Sequence, residues 1–376
     1  MDFIIVLLII LVSAACGGEL SARLGQTTIL GKIIAGIIVG PAVLGWVSPT
    51  ETIHNMSEIG ILFLMFIAGL ETDATDLYKN RKSSIAVALG GLLFPVAGGF
   101  ATGLLFGLKP IPSVFLGLLL AATSVSISIL TLRELGQLNS RESTTILGAA
   151  LVDDITVMFI LAITMGVWTG TKVNIGILLG KEILFFLLIA LLGWKAIPWF
   201  MKISTSFKAT ENIISAVIIC FVFASLAHLL GVSSIIGAFA AGLAVSRTDS
   251  QKEIKRKIVP IAYTIFIPVF FVQIGLSVSF VGIQNHIWFI IIGSLFAILT
   301  KWFGAFLGAK LTSFSTKSAI RIGAAMMSRG EVALILLTIG LEKKLIDPAY
   351  ASSILIIVMI TTLITPVLLK TFYKTP

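Results

Sequence analysis

Charged residues are scarce in this sequence. They fill 12% of its 376 positions, about half the share usual in a soluble domain. Hydrophobic residues fill 57%, and mean hydropathy is +1.08. That balance excludes a water-soluble globule and leaves a chain that crosses a bilayer repeatedly. Cysteine is nearly absent. Cys16 and Cys220 lie far apart in apolar runs without C-x-x-C spacing, so we expect two small buried residues and neither a disulfide framework nor a redox or metal motif. The three histidines, His54, His228 and His286, are isolated. No Gly-x-x-x-x-Gly-Lys-Ser/Thr occurs, which argues against an ATP-driven pump. The N-terminus lacks a basic start, its first charge being Asp2, so its apolar run is expected to be a first span and not a cleaved signal. A net charge of +9 does not point to nucleic acid, because the basic residues fall in short loops where topology accounts for them.

Apolar runs broken by Gly, Pro or charge predict an all-α polytopic membrane protein with about thirteen spans. Their approximate positions are 3–22, 29–47, 56–72, 84–107, 112–132, 144–169, 173–199, 211–230, 233–246, 258–280, 286–311, 318–341 and 350–370. With the N-terminus outside, twenty Lys and Arg fall on the inside and only Lys109, Lys172, Lys343 and Lys344 outside. The positive-inside rule then sets an outside N-terminus and a cytoplasmic C-terminus. Leu30-Gly31, Gly36 and Val39 recur as Ile236-Gly237, Gly242 and Val245, and Gly69-Leu70 as Gly275-Leu276, all displaced by 206 positions. The displacement pairs span 2 with span 9, an odd interval that turns the second copy upside down. Two inverted six-helix units, joined by span 7 at 173–199, are expected, an arrangement typical of secondary transporters.

The organising stretch is Gly148 to Phe159, where Asp153 and Asp154 stand side by side within an apolar run. Each mid-membrane acid costs about 2.5–3.5 kcal/mol on insertion scales, so each needs a partner, water or a cation. Neighbours on a helix project about 100° apart; one carboxylate should face a cavity and the other a fixed partner. Lys301, mid-span and unable to snorkel, is the candidate partner for one of the two. Arg329 and Glu331 are expected to form a structural ion-pair network. Spans 5 and 12 carry polar interruptions at matching places, Thr123-Ser124-Val125-Ser126 and Ser328-Arg329-Gly330-Glu331, which predict two broken helices that cross. Asp154 with Thr123 or Ser124 oxygens, freed carbonyls and water makes a hard oxygen set. Such a set suits Na⁺ or Li⁺ in competition with H⁺ for one carboxylate.

These residues resemble the monovalent cation:proton antiporter-2 family, and within it the NapA/GerN-type sodium/proton antiporters. The likeness rests on Asp153-Asp154, Ala122-Thr123-Ser124, Lys301, Arg329-Gly330-Glu331 and Phe66-Ile67-Ala68-Gly69-Leu70-Glu71, and it spans essentially the whole chain. It implies Asp154 as the ion-binding aspartate and Asp153 as the aspartate paired with Lys301. It also implies a homodimer, with dimerisation and scaffold helices in 3–72 and 211–280. A core in 84–169 and 286–370 would carry the ion by elevator-like movement, probing each side in turn. The Lys301 position favours electrogenic sodium exchange over potassium relatives that lack the lysine. The chain ends at Pro376 without a nucleotide-binding domain, which speaks against that kind of ligand gating. A K⁺/H⁺ antiporter or a cation channel of the same fold is the alternative. An enzyme is not expected: an intramembrane aspartyl protease needs facing carboxylates from two helices, and no second mid-span aspartate exists. No cofactor is implied. The expected location is the plasma membrane.

Overall fold

The computed structural model describes residues 3–169, 175–193, 197, 211–278, 280 and 283–374. Every regular element among them is helical. In chain order these are α1 (Phe3–Arg23), α2 (Thr28–Val39), α3 (Glu51–Glu71), α4 (Ala74–Lys79), α5 (Arg81–Leu105), α6 (Pro110–Ala121) and α7 (Val125–Glu134). Then come α8 (Arg141–Thr169), α9 (Ile175–Leu191), α10 (Glu211–Leu229), α11 (Ser234–Val245) and α12 (Gln251–Leu276), the last with a π-helical turn at Ala262–Phe266. The chain closes with α13 (Ile287–Leu311), α14 (Thr316–Met326), α15 (Glu331–Glu342) and α16 (Pro348–Lys374). Among the described residues eight helices are long and apolar enough to cross a membrane, counting α6–α7 as one. Shorter apolar helices accompany them, including α2, α11 and most of α10 and α15.

Two helices are interrupted. α6 stops at Ala121 and α7 restarts at Val125; α14 stops at Met326 and α15 restarts at Glu331. The interrupted α6–α7 is the most buried of the eight long spans. Several helix starts in the second half lie at one displacement from those in the first. α2 starts at Thr28 and α11 at Ser234, α5 at Arg81 and α13 at Ile287, α7 at Val125 and α15 at Glu331, each pair 206 positions apart. Even the turn after α5 has its counterpart. Gly107 is left-handed at φ +79°, and Ser313, 206 positions on, holds φ +65° without glycine's freedom.

The chain divides into two compact units. The first comprises Met1–Pro49, Lys79–Val173 and Val272–Pro376; the second comprises Thr50–Tyr78 and Asn174–Phe271. In the first, Leu92, Phe115, Leu119, Val157, Phe289 and Ile357 belong to a core drawn from α5, α6, α8, α13 and α16. α2 runs close against the last turns of α12, where Gly36 and Gly275 bring backbone to backbone. In the second unit Gly69 of α3 and Gly242 of α11 make the equivalent approach. A side chain at any of the four would enter the facing backbone.

Three readings from hydropathy are corrected. The second span, expected over 29–47, is helical only to Val39. Gly40-Pro41 ends it, and Ala42 to Val47 is apolar but turns through Gly45 at φ +64°. The tenth span, expected from 258, begins at Gln251. Lys252, Lys255, Arg256 and Lys257 therefore sit on helix, with Ile254 and Ile258 buried beneath them; charge ends a hydropathic run without ending a helix. Cys220 is buried as expected, but Cys16 is exposed on α1. The seventh span falls partly outside the described residues; Ile175–Leu191 of it is helical.

A buried ion pair beside two broken helices

All the expected site residues belong to the first compact unit. α8 runs unbroken through Asp153 and Asp154. Asp153 is 0% exposed and Asp154 6%. Lys301, on α13, is fully buried and reaches Asp153 Oδ2 at 2.6 Å. Its ammonium also donates to the Ala121 carbonyl at 2.7 Å, at the last residue of α6. The break supplies that acceptor: where α6 stops, its last carbonyls lose their helical partners, and one is taken up by lysine. Thr123, within the break, donates its hydroxyl to the same Asp153 Oδ2 at 2.7 Å. Lys301, Thr123 and Asp153 thus form one hydrogen-bonded group. Gly91 of α5 faces the ammonium, a Cβ there standing in ordinary contact at 3.4 Å from Lys301 Nζ.

The two breaks are bonded to each other. The Ser124 amide donates to the Ser328 carbonyl at 2.8 Å, and the Ser328 hydroxyl donates back to the Ser124 carbonyl at 2.6 Å. The Ser128 hydroxyl lies 2.9 Å from that of Ser328 and also donates to the Ala325 carbonyl. The Ser124 hydroxyl pairs with that of Ser126 at 3.1 Å. Unwound backbone deep in a membrane is stable only when its polar groups are met within the protein. Here each interruption meets those of the other.

Arg329 lies within the second break and is fully buried. Its guanidinium donates to the carbonyls of Leu120 at 2.7 Å, Ala297 at 2.7 Å and Met327 at 2.9 Å. One side chain therefore ties the end of α6, the middle of α13 and the end of α14. Its own carbonyl accepts from the Thr362 hydroxyl on α16. Glu331 opens α15, and its side chain lies outside the described residues. The structure thus brings Asp153, Lys301 and Thr123 together and joins Ser124 to the Arg329 break through Ser328. Asp154 is the next residue along α8. Sequence reasoning missed the carbonyls of Ala121, Leu120 and Ala297, because backbone acceptors carry no letter; the only sign of them was a buried Arg and Lys needing partners.

The transmembrane sodium/hydrogen exchanger family matches residues 7–375. The chain belongs to that family. As a sodium/hydrogen exchanger family member it is a multi-pass transporter and not an enzyme. It is 52% identical over 374 residues to the probable Na⁺/H⁺ antiporter GerT of Bacillus cereus, covering 99% of this chain and 100% of that one. It is 50% identical to the Na⁺/H⁺-K⁺ antiporter GerN of the same organism, over 98% of this chain and 96% of that one. It is 44% identical to an Na⁺/H⁺ antiporter of Enterococcus hirae, over 100% and 99% of the two chains. The solved sodium proton antiporter MjNhaP1 of Methanocaldococcus jannaschii superposes with a TM-score of 0.71 at 19% identity, over 99% of this chain and 97% of that one. This last similarity establishes the all-helical exchanger fold.

Proposed function

We propose that the chain exchanges Na⁺ for H⁺ across the plasma membrane, with Asp154 as the residue that both ions occupy in turn. The observation that carries this reading is the fixed Lys301–Asp153 pair, at 2.6 Å with no exposure, beside a second acid that retains some. Asp153 is held by the lysine with no exposure, whereas Asp154, the next residue on α8, keeps 6%, and we assign the exchanging proton and cation to Asp154. Asp154 carboxylate, Ser124 and Thr123 oxygens and loosened carbonyls are hard ligands suited to an alkali cation. A proton must leave before Na⁺ or Li⁺ occupies them, and that competition couples the two gradients.

The displacement of 206 shared by several helix starts supports a reading of thirteen spans in two inverted units, and such a plan suits alternating access by an elevator-like movement. The core would be 84–169 with 286–370, the dimerising scaffold 3–72 with 211–280, and 173–199 the linker. The N-terminus would lie outside and the C-terminus in the cytoplasm. Release of Lys301 from Asp153 during the cycle would carry a second proton and make exchange electrogenic. Arg329 fixes the break, and Glu331 belongs with it to a structural network at the crossing, facing a different neighbour. GerN, named for K⁺ as well as Na⁺ at 50% identity, favours K⁺ as an additional cation.

The test is dissipation of a pH gradient in reconstituted vesicles on adding Na⁺, Li⁺ or K⁺. Asp154→Asn should insert and fold yet lose cation-driven proton movement by at least a hundredfold. Normal exchange by that variant would remove Asp154 from the site, and conduction without coupling would make the protein a channel.

A further inference from the structure

α5 and α8 are in contact, and each carries a buried hydroxyl that the ion pair does not use. Ser84 on α5 and Thr145 on α8 are 3% and 0% exposed, and neither hydroxyl has a hydrogen-bond partner. The Asp153 Oδ1 atom, the carboxylate oxygen that Lys301 and Thr123 leave alone, is buried and unpaired as well. Most hydroxyls inside helices avoid this by donating to the carbonyl four residues back, as Thr102, Thr156 and Thr164 do. A buried hydroxyl left unmet costs about 1–3 kcal/mol, and orphaned polar groups are where internal water binds.

Register along the two helices fixes the relative depth of the two hydroxyls. α5 and α8 are pinned together at two depths. At their first turns Arg141 Nε donates to Asn80 Oδ1 at 3.1 Å. Farther along, Gly91 of α5 faces the Lys301 ammonium that Asp153 of α8 holds. Ser84 follows Asn80, and Thr145 follows Arg141, by the same four positions, about 6 Å along either axis. Both hydroxyls therefore sit at one depth, between the Arg141 end of the bundle and the ion pair. Thr145 to Asp153 is eight residues, about 12 Å. What intervenes includes Ala88 and Ala149, among the smallest side chains available.

We propose that Ser84 and Thr145 build a water site in the α5–α8 interface that relays protons between the Arg141 end of the bundle and Asp153 Oδ1, apart from the route taken by the cation. This rests on the antiport reading above. A proton passed along the water and hydroxyls to Oδ1 converts the Asp153 carboxylate to a neutral carboxyl and frees the Lys301 ammonium. Return of the proton along the same path restores the carboxylate and the ion pair. Cation and proton thus reach adjacent acids by different doors.

The experiment compares Thr145→Val, Ser84→Ala and Thr145→Ser in reconstituted vesicles, with melting temperature measured in detergent. A relay predicts three- to tenfold slower proton movement at saturating Na⁺ for Thr145→Val and Ser84→Ala. Their Na⁺ KM should stay within twofold of the parent, their melting temperature should fall, and Thr145→Ser should restore the rate. Thr145→Val and Ser84→Ala with parental rates and unchanged or higher melting temperatures would overturn the proposal, because a dry, unpaired hydroxyl is better removed. A Thr145→Ser rate as slow as that of Thr145→Val would overturn it too, by assigning the effect to packing. An unaltered chain that moves no protons on Na⁺ addition would instead sink the antiport reading.

Discussion

Lys301 and Asp153 are each buried, and neither could be so alone. Removing one partner of such a pair leaves an uncompensated charge, at a penalty of about 3–5 kcal/mol. Lys301→Ala should accordingly lower the melting temperature in detergent, while Lys301→Gln combined with Asp153→Asn should recover most of it. A melting temperature indifferent to Lys301→Ala would mean that the 2.6 Å contact contributes nothing. The pair was legible in the sequence because four or five charges inside apolar runs have few ways to be satisfied. The role of Thr123 was less legible. Chemistry marks it as an oxygen near the acids, but only the path of the chain through the break decides that its hydroxyl donates to Asp153. Arg329 was expected in a structural ion-pair network with Glu331, and its guanidinium is held by three carbonyls, at the end of α6, in the middle of α13 and at the end of α14, acceptors no residue letter announces.

At the scale of elements, the breaks at Ala122–Ser124 and Ser328–Gly330 were readable from clustered hydroxyls and glycine, whereas the end of α2 was not. An apolar loop and an apolar helix have the same hydropathy, and only Gly40-Pro41 marked the difference. A long-range cap was equally hidden. Glu134, closing α7, accepts from the Thr28 amide at 3.1 Å and from the Thr28 hydroxyl, a residue 106 positions away in sequence. The crossing itself yields a prediction at Gly330, where a Cβ would meet the Ser124 hydroxyl at 2.6 Å. Gly330→Val should displace one break from the other and reduce exchange at least tenfold, with Na⁺ KM raised because Ser124 is moved. Parental exchange by Gly330→Val would show that the breaks do not need this fit.

Over the whole molecule, a few glycines in the sequence marked the displacement of 206, and several helix starts repeat it. One pair of positions at that displacement differs in its turn residue. Where the first half turns on Gly107 at φ +79°, the second turns on Ser313 at φ +65°. A left-handed non-glycine residue costs about 1–2 kcal/mol, so Ser313→Gly should raise the melting temperature and leave exchange unaltered, since the turn follows α13 far from the acids. A fall in melting temperature would mean that the serine makes a compensating bond. Short helices such as α2 and α11 make close backbone approaches at Gly36 and Gly242, a packing that hydropathy alone does not convey.

The paired donations between Ser124 and Ser328 have a mechanical consequence. A single unwound segment can flex to suit whatever it holds; two that are stitched through each other's peptide groups can yield only together. Discrimination among alkali ions would then depend on a preset aperture and not on accommodation, and loosening one stitch, as in Ser328→Ala, should blur the preference between small and large cations before it slows turnover.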